Sequence, residues 1–443
     1  MKMRHFGLLL CGLLGLYLLL SPIYAFVHFQ QFASLPEHFM RYVMIPGLLG
    51  SAFVAVGLLA KPRFSIMIGT CGLSVLAGMF LFEALLTVKS VSVRFGMLGQ
   101  LSEGQAETLR RTTNAVAGFT LRGLNRLSGT DNLSEALLSG FPSTQVVLCT
   151  SQSDIVSYTA DRYGFNNPDQ VYNSNLDLML LGDSFVEGFC LPPGEDLVSQ
   201  LRNDGLAAAS LGIRGNGPLL ELATLGRFGE NFRPRHVMMA FFEGNDWENF
   251  EKELTVPWLR TALSSDANYG SQSAAQETMR VARMVLTEKT KKPVTITDLL
   301  TKTAMLRNFV ALQQTFTRLG LIYPKIAHPM PEFRETLRRA RTLTESWGGT
   351  FTLVYVPRVD RFVGPFTSDR IFDQLKTVVL DAAEAEGIAV LDLHHALRSH
   401  PESARMYAPD NHFSRDGASF AADVIMRHLA TIERSPKKTA GIK

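Results

Sequence analysis

Three long apolar segments occupy the first 88 residues of the chain. Each is close to the roughly 20 residues that a helix needs to cross a bilayer. The segments cover about 6–29, 42–60 and 64–88. A polar connector (30–41) separates the first two, and a basic turn (61–63) separates the last two. Because Pro62 in this turn interrupts a helix, the pattern predicts a membrane anchor of three transmembrane helices, residues 1–88.

Beyond the anchor, short apolar runs alternate with stretches of helical pattern. The runs are rich in Leu, Val, Ile and Met and do not alternate with polar residues, as expected for strands buried on both faces of a parallel sheet. The predicted strands are 176–181, 206–211, 237–242, 351–356 and 388–393. Helical patterns cover 368–386 and 415–432. This order predicts an α/β fold in which helices cover the sheet.

Three segments do not fit this alternation. Residues 89–149 mix arginines with apolar residues and with glycine and serine breaks, which predicts a membrane-proximal helical stalk. Residues 249–334 hold helical patterns over 276–288 and 302–319, which predicts an insertion or a lid over the sheet. The polar, basic tail 435–443 is predicted to be disordered.

Charge is distributed unevenly along the chain. The 443 residues carry 44 basic and 41 acidic side chains, a balance that gives no reason to propose a nucleic-acid partner. Only seven of these charges fall within the first 88 residues, whereas the remainder has the charge density of a soluble domain. The distribution argues against a wholly cytosolic enzyme and against a polytopic transporter. It indicates a membrane anchor followed by one large water-soluble domain.

The basic residues near the anchor predict its orientation. Lys2 and Arg4 precede the first helix, and Lys61 and Arg63 lie in the turn between the second and the third. Because short loops rich in Lys and Arg remain in the cytoplasm, the chain beyond about residue 90 is expected outside the cytoplasmic (inner) membrane. A cleaved signal peptide in place of the first helix is the alternative, and it leaves the large domain on the same side.

The cysteines leave one question open. Cys11 and Cys71 lie in the apolar segments, where thiols pack as small apolar groups. Cys149 and Cys190 are the only two in the soluble part, and in an oxidising compartment they are either paired or free, which their spacing does not decide. The sequence carries no Cys-x-x-Cys, His-Glu-x-x-His or aspartate-rich metal-binding motif.

One serine lies where a predicted buried strand ends and a helix begins. The strand 176–181 is followed directly by Gly182, Asp183 and Ser184. Open α/β sheets place their active sites at the carboxyl ends of their strands, and the free N–H groups at the start of a helix can hold a developing oxyanion. Asp and Ser are also common helix N-caps, so this segment alone does not distinguish a nucleophile from a capping residue.

Three later segments offer the other groups that a serine nucleophile needs. Gly215 lies in a glycine-rich loop, where a backbone N–H can approach a ligand closely. Asn245 follows the strand 237–242 and offers an amide donor. Asp410 and His412 precede the last helical stretch, and a carboxylate beside an imidazole can orient it as a general base. Each segment alone is equally compatible with a loop or a surface turn.

In this order, the four segments resemble the SGNH (GDSL-type) hydrolase superfamily. The residues that match its blocks are Gly182-Asp183-Ser184, Gly215, Gly244-Asn245-Asp246, and Asp410 with His412. The segment 158–167 is similar to the lead-in of many bacterial members. One residue, Asn411, separates Asp410 from His412 where the commonest pattern has two. The shorter spacing also occurs in relatives such as alginate O-acetyltransferase-like proteins.

The resemblance covers roughly residues 150–430 and implies a fold, a site and a chemistry. The implied fold for residues 150–434 is a three-layer, flavodoxin-like α/β domain with a parallel sheet. Ser184 would be the nucleophile, His412 the general base, and Asp410 the group that orients the imidazole. The backbone N–H groups of Ser184 and Gly215 and the Asn245 amide would form the oxyanion hole. Neither a metal nor an organic cofactor is implied.

Combined with the predicted topology, the resemblance favours a membrane-anchored, extracytoplasmic serine esterase. Its substrate would be an acylated, preferably acetylated, glycan of the cell envelope or a secreted glycan, or another ester. An O-acyltransferase with the same acyl-enzyme chemistry, supplied by an envelope-biosynthesis partner, is the alternative. A non-catalytic glycan-binding protein is a third interpretation. Glu187 and Glu243, next to the motifs, are candidates for shaping substrate binding, and Arg358 and Arg361 follow a strand in a loop predicted to be solvated.

Overall fold

The computed structural model describes residues 2–95, 114–151, 154–290 and 303–434. The chain divides into two compact units. One, the anchor unit, comprises Met1–Val93, Thr295–His328 and Val363–Leu375. The other, the sheet unit, comprises Arg94–Val294, Pro329–Phe362 and Lys376–Lys443.

Helices and strands follow one another along most of the described chain. The strands are β1 (Ala115–Ala117), β2 (Gln145–Ser151), β3 (Asp154–Thr159), β4 (Leu178–Leu181), β5 (Ala208–Ser210), β6 (His236–Phe242), β7 (Thr350–Val356) and β8 (Ala389–Asp392). The helices are α1 (Lys2–Val27), α2 (Phe29–Phe32), α3 (Pro36–Phe39), α4 (Ile45–Leu59), α5 (Pro62–Phe95), α6 (Leu121–Ser128), α7 (Ser184–Glu187), α8 (Leu197–Asn203), α9 (Pro218–Phe232), α10 (Asp246–Leu254), α11 (Pro257–Arg260), α12 (Gln276–Thr290), α13 (Thr303–Val310), α14 (Gln313–Leu319), α15 (Pro331–Ser346), α16 (Arg370–Ala385), α17 (Leu393–Arg398) and α18 (Arg415–Arg434).

Three helical segments of the anchor unit are long and apolar enough to cross a membrane, which confirms the predicted anchor helices. They are Met3–Val27, Pro36–Leu59 and Pro62–Val88. The second begins earlier than predicted, because a π-helical turn at Met40–Met44 joins α3 directly to α4. Pro62 occupies the first turn of α5, where its missing N–H costs no helical hydrogen bond.

Glu83 of α5 is an acidic residue within an apolar span, and the structure shows how its carboxylate is satisfied. The side chain is fully buried within the anchor unit. It accepts hydrogen bonds from the backbone N–H groups of Gln314 (3.0 Å) and Thr315 (2.7 Å) and from the Thr315 hydroxyl (2.8 Å). A carboxylate at the positive end of α14 is favourable for the helix dipole as well.

The predicted insertion over 249–334 is not one element. Its second half belongs to the anchor unit, where the Tyr17 hydroxyl of α1 donates to the Val310 carbonyl (2.9 Å). The rings of Phe80 and Phe309 also meet there, with centroids 5.6 Å apart. The single helix predicted over 302–319 is two helices, because Leu312 has a left-handed backbone (φ 52°) between α13 and α14. The described residues 303–328 thus pack on the anchor helices, and the lid over the sheet stays a prediction.

The main sheet of the sheet unit is parallel throughout, with the strand order β5-β4-β6-β7-β8. Each strand lies within two residues of its predicted position, so the predicted parallel sheet is confirmed. On one face, α8, α17 and α18 pack against β4, β6 and β7. On the other face, Phe241 of β6 contacts Phe333 of α15 (5.6 Å between centroids). The result is the predicted three-layer α/β arrangement.

The strand order also shows where a site is expected. From β4 the chain continues to β5 on one side, and β6 lies on the other side of β4. Such a switch opens a crevice at the carboxyl ends of the central strands, where open α/β sheets bind their ligands.

The predicted helical stalk over 89–149 is wrong for its described part beyond the anchor. Residues 114–149 form β1, α6 and most of β2, and the sheet that they build with β3 has the order β1-β2-β3. Val146, Val147 and Cys149 of β2 are fully buried. Short strands in a small sheet carry little local signal, whereas the scattered arginines mimic a helical surface. Residues 96–113 and the tail 435–443 lie outside the described residues.

Candidate active site

Ser184 lies at the carboxyl end of β4, on the first turn of α7. The N-cap of this helix is Asp183, whose Oδ1 accepts a hydrogen bond from the Phe185 N–H (2.9 Å). The capping role that Ser184 could have filled therefore belongs to its neighbour. The Ser184 hydroxyl instead lies 2.8 Å from Nε2 of His412, a distance typical of a nucleophile and its base.

The loop before α18 brings Asp410 and His412 together. Asn411 has a left-handed backbone (φ 72°), which turns the chain sharply enough for the two side chains to meet across one intervening residue. In the side chain, Nδ1 of His412 lies 3.3 Å from Oδ2 of Asp410. The backbone N–H of His412 donates to Oδ1 of the same carboxylate (3.1 Å). A bridge between Tyr407 and Phe413 closes the base of the loop.

The Asp410 carboxylate is kept in its charged form by its neighbour. Burial raises the pKa of Asp410, but the hydrogen bond and the charge of His412 outweigh burial and hold this pKa below its ordinary value. Among the described residues, Nδ1 of His412 has no well-aligned hydrogen-bond acceptor. The contact of Nδ1 with Oδ2 of Asp410 is thus long at 3.3 Å, as catalytic contacts often are in enzymes without substrate.

The loops after β5 and β6 flank Ser184. The Leu211 N–H donates to the Leu180 carbonyl (2.8 Å), and the Ile213 N–H donates to the Gly182 carbonyl (3.2 Å). The glycine-rich loop thus begins beside the serine segment, and Gly215 turns within it at φ 72°, a conformation that favours glycine.

Asn245 lies on the other side of Ser184. Its Nδ2 points to Oδ2 of Asp183 at 3.4 Å, and Asp183 precedes the serine. The predicted donors of the oxyanion hole (the N–H groups of Ser184 and Gly215, and the Asn245 amide) therefore come from the ends of three neighbouring strands. Their role as donors to an oxyanion remains a prediction.

Behind this edge lies a group of four buried carboxyl groups, which we call the acid cluster. Its members are Asp183, Glu221, Asp246 and Glu253. Burial raises the pKa of Glu221 and of Asp246 well above the ordinary values, and the charge of Asp183 adds to both shifts. Among the described residues, no group of three or more His, Cys, Asp or Glu side chains is arranged to hold a metal ion.

Glu253 supports the glycine-rich loop. Its carboxylate accepts hydrogen bonds from the backbone N–H groups of Gly217 (2.6 Å), Leu219 (3.1 Å) and Leu220 (3.2 Å). Burial raises the pKa of Glu253 to about 7, although these N–H groups oppose the shift. Sequence reasoning missed Glu221 and Glu253, because neither lies in a motif and only the fold brings them together.

Glu187 and Glu243, predicted as candidates for substrate binding, lie in ion pairs instead. Glu187 pairs with Arg214 at 2.8 Å, and its side chain is 1% exposed. Glu243 pairs with Arg361 at 2.8 Å, and both side chains are nearly inaccessible. A carboxylate that is buried and paired in this way does not reach a substrate. The prediction of a solvated loop is likewise wrong for Arg361.

The two cysteines of the soluble part form a disulfide. Cys149 of β2 is bonded to Cys190, which follows α7 by three residues, and their Cα atoms are 5.6 Å apart. Sequence reasoning left this pairing open, because the approach of β2 to the nucleophile helix depends on the tertiary fold.

Comparisons with known proteins find only weak similarities. No family model matches the chain, and no curated protein matches it. Among solved structures, it is similar to a lipase/acylhydrolase from Enterococcus faecalis (16% identity, 58% of this chain and 97% of that chain, TM-score 0.32). It is also similar to an acetyl xylan esterase from Geobacillus stearothermophilus (15% identity, 58% and 95%, TM-score 0.28).

At these TM-scores the likeness carries no argument. The fold is established by the strand order, and the chemistry has to be inferred from the side chains. Ser184, His412 and Asp410 form a chain of polar atoms in the order hydroxyl, imidazole and carboxylate. Such a chain can deprotonate a hydroxyl as it attacks a carbonyl carbon.

Proposed function

We propose that the protein is a membrane-anchored serine esterase of the SGNH type, which removes acyl groups, preferably acetyl, from a glycan outside the cytoplasmic membrane. The observation that carries the proposal is the 2.8 Å approach of His412 Nε2 to Ser184 Oγ at the carboxyl edge of a parallel sheet. Residues 228 positions apart in the chain meet there. A helix cap or a surface turn does not require such a contact.

The proposed reaction has two halves. Ser184 Oγ attacks the ester carbonyl as its proton passes to Nε2 of His412, and the carbonyl oxygen becomes an oxyanion held by the predicted donors. Collapse of this intermediate breaks the bond to the leaving alkoxide, which takes the proton from His412 and departs as an alcohol. Water then attacks the acyl-enzyme by the same steps in reverse, which releases the acid and restores Ser184.

Contacts within the anchor unit support the proposed sidedness. The Arg4 guanidinium donates to the Leu58 carbonyl (3.3 Å), so Arg4 lies at the same end as the basic turn 61–63, which the positive-inside rule assigns to the cytoplasm. The connector 30–41 lies at the other end of α1. There the Gln31 carbonyl accepts from the Ile326 N–H (3.0 Å). A disulfide in the sheet unit also fits an oxidising compartment.

The test uses the full-length protein in detergent. A serine-directed fluorophosphonate should label the wild type, and peptide mapping should place the label on Ser184. The Ser184→Ala variant is the matched control and should not be labelled. A folded wild type that resists labelling would favour a non-catalytic, glycan-binding function instead.

A second assay separates hydrolysis from transfer. The protein is incubated with 4-nitrophenyl acetate, with and without an oligosaccharide acceptor, and the products are analysed by mass spectrometry. Free acetate as the main product in both arms supports the esterase. Acetylated oligosaccharide as the main product would replace the esterase by the O-acyltransferase, since the two share the first half-reaction.

A further inference from the structure

One aromatic side chain, Phe189, lies beside the triad (Ser184, His412 and Asp410). It contacts the imidazole of His412 and is itself held by two interactions. The ring centroid of Phe189 lies 4.6 Å from that of His412, at an interplanar angle of 42°. The Arg214 guanidinium lies over the same phenyl ring, 5.1 Å from its centroid. Phe185 also contacts the imidazole (5.2 Å), but it is buried in the core and held by packing. Phe189 is only half-buried, so its position depends on what holds its backbone.

The first interaction that holds Phe189 is covalent. Cys190 follows Phe189 directly and is bonded to Cys149 of β2. Cys190 has a left-handed backbone (φ 62°), which a non-glycine residue adopts only when the surrounding structure imposes it. The disulfide therefore fixes the turn that carries Phe189 onto a strand of the small sheet.

The second interaction that holds Phe189 involves an ion pair. The Arg214 guanidinium donates to both oxygens of Glu187, through Nε (2.9 Å) and Nη2 (2.8 Å). The Tyr158 hydroxyl donates to the same carboxylate (3.1 Å). The guanidinium also lies against Gly118, where a Cβ would come within 2.0 Å of Nη1. Arg214 is thus fixed on several sides and presents a rigid cation to the Phe189 ring.

A rigid ring beside His412 matters because Asp410 does not hold the imidazole alone. The Nδ1 to Oδ2 distance is 3.3 Å, and Nδ1 has no well-aligned acceptor among the described residues. The imidazole could therefore rotate away from Ser184 unless neighbouring rings restrict it. General-base catalysis requires hydrogen-bond contact with the nucleophile.

We propose that Phe189 is a positioning residue for His412 and that the Cys149–Cys190 disulfide holds it in place, so that the rate of acyl transfer depends on the disulfide. This inference rests on the proposed serine chemistry. Phe189 touches the imidazole and not the reacting atoms. Its loss should therefore lower kcat and leave KM nearly unchanged.

The first experiment tests Phe189 in the full-length protein. Phe189→Ala should lower kcat for 4-nitrophenyl acetate, and the rate of fluorophosphonate labelling, by about 10-fold to 100-fold. Phe189→Tyr should restore most of both rates, because it retains the ring. The matched control is Phe420→Ala, since the Phe420 ring contacts His400 (5.2 Å between centroids) in the same unit but outside the triad. This control should keep the wild-type rates.

The second experiment tests the disulfide. Reduction of the wild type with a phosphine, verified by thiol labelling, should lower kcat to the level of the Cys149→Ser/Cys190→Ser double variant. The double variant should not respond to the reductant. The Cys11→Ser/Cys71→Ser double variant keeps the bridge and should respond as the wild type does. Thermal unfolding of every variant is followed to keep the assays well below its midpoint.

The outcomes separate this inference from the proposed function. If the wild type is labelled on Ser184 and both Phe189→Ala and the reduced protein keep the wild-type kcat, the inference is wrong and the esterase stands. If only the reduced protein keeps it, the role of the disulfide is wrong. If Phe189→Ala raises KM and leaves kcat unchanged, Phe189 binds substrate rather than positioning His412. A folded wild type that is not labelled at all contradicts the proposed function itself.

Discussion

Two groups of polar side chains meet at the carboxyl edge of the main sheet, and their environments differ. In the triad, the polar atoms of Ser184, His412 and Asp410 lie 2.8 Å and 3.3 Å apart, and the imidazole remains 22% exposed. In the acid cluster, Glu221 is fully buried, and neither of its carboxylate oxygens has a hydrogen-bond partner among the described residues. The triad is partly open to solvent, whereas the acid cluster is enclosed by the fold.

The pKa values of carboxyl groups are therefore shifted in opposite directions in the two regions. The pKa of Asp410 is lowered, because the hydrogen bond and charge of His412 outweigh burial. The pKa values of Glu221 and Asp246 are raised well above ordinary values, first by burial and then by the charge of Asp183. The environment of the triad carboxylate thus favours its ionised form, whereas burial favours the protonated forms of Glu221 and Asp246.

Asp183 belongs to both regions. Its carboxylate caps α7 and contacts Asn245 on the triad side, and its charge raises the pKa of its neighbours in the acid cluster. Burial raises the pKa of Asp183 itself, while the Phe185 N–H and the charge of His412 oppose the shift. Under the proposed function, the triad performs the chemistry, and Glu253 of the acid cluster supports the glycine-rich loop beside it.

The largest expected effect comes from removing the triad itself. Ser184→Ala and His412→Ala should each lower kcat by about 10⁴-fold to 10⁶-fold, and the double variant should be little worse than either, because the two groups act as a unit. Steady-state kinetics with 4-nitrophenyl acetate measures this. Additive losses in the double variant would mean that the two side chains contribute independently. Ser184 and His412 would then not act as one catalytic unit.

The next effect concerns the donor that borders both regions. Asn245→Ala removes one predicted oxyanion donor and should lower kcat by about 10²-fold to 10³-fold with the fold retained. Asn231→Ala is the matched control, since Asn231 is exposed near the end of α9. If the two variants have equal rates, the Asn245 amide only contacts Asp183, and the oxyanion hole has to be assigned to other groups.

The triad residues could be predicted from the sequence because each follows or precedes a strand or helix with a clear pattern. Ser184 and Asn245 lie three residues beyond the ends of β4 and β6, and parallel strands place these ends at one edge. The contact of Asp410 with His412 across one residue depends on the left-handed backbone of Asn411, which a single sequence does not reveal.

The rest of the site depends on contacts between distant residues without a local pattern. Glu253 bonds to N–H groups more than 30 residues earlier in the chain. Phe189 has no motif that marks it as a neighbour of His412. The strands in the predicted stalk and the break in the helix predicted over 302–319 lack a local signal for the same reason. The strand β1 is only three residues long, and the faces of α13 and α14 become defined only by the helices they pack against.

A smaller effect is expected from the carboxylate of the triad. Asp410→Asn removes a negative charge that His412 favours, as the lowered pKa of Asp410 shows. We expect kcat to fall by about 10-fold to 100-fold. This loss is smaller than the roughly 10⁴-fold loss in a serine protease triad, because the contact with Nδ1 is long at 3.3 Å. A loss as large as that of His412→Ala would mean that the contact tightens when substrate binds.

The smallest effect tests the acid cluster through stability. Glu253 has a pKa of about 7 in the folded protein against an ordinary value of 4.5, so the folded state binds more protons between these values than the unfolded chain does. Its contribution to the free energy of unfolding is therefore fully present below about pH 4.5 and is lost as the pH rises to about 7, by roughly 3 kcal/mol in total.

Glu253→Gln resembles the protonated side chain and removes this dependence. Measured by unfolding at several pH values, the stability of the variant relative to the wild type should rise over this range and then level off, whereas the exposed control Glu230→Gln should show no such rise. A constant difference between Glu253→Gln and the wild type would mean that Glu253 is ionised throughout, and that its three N–H donors outweigh burial.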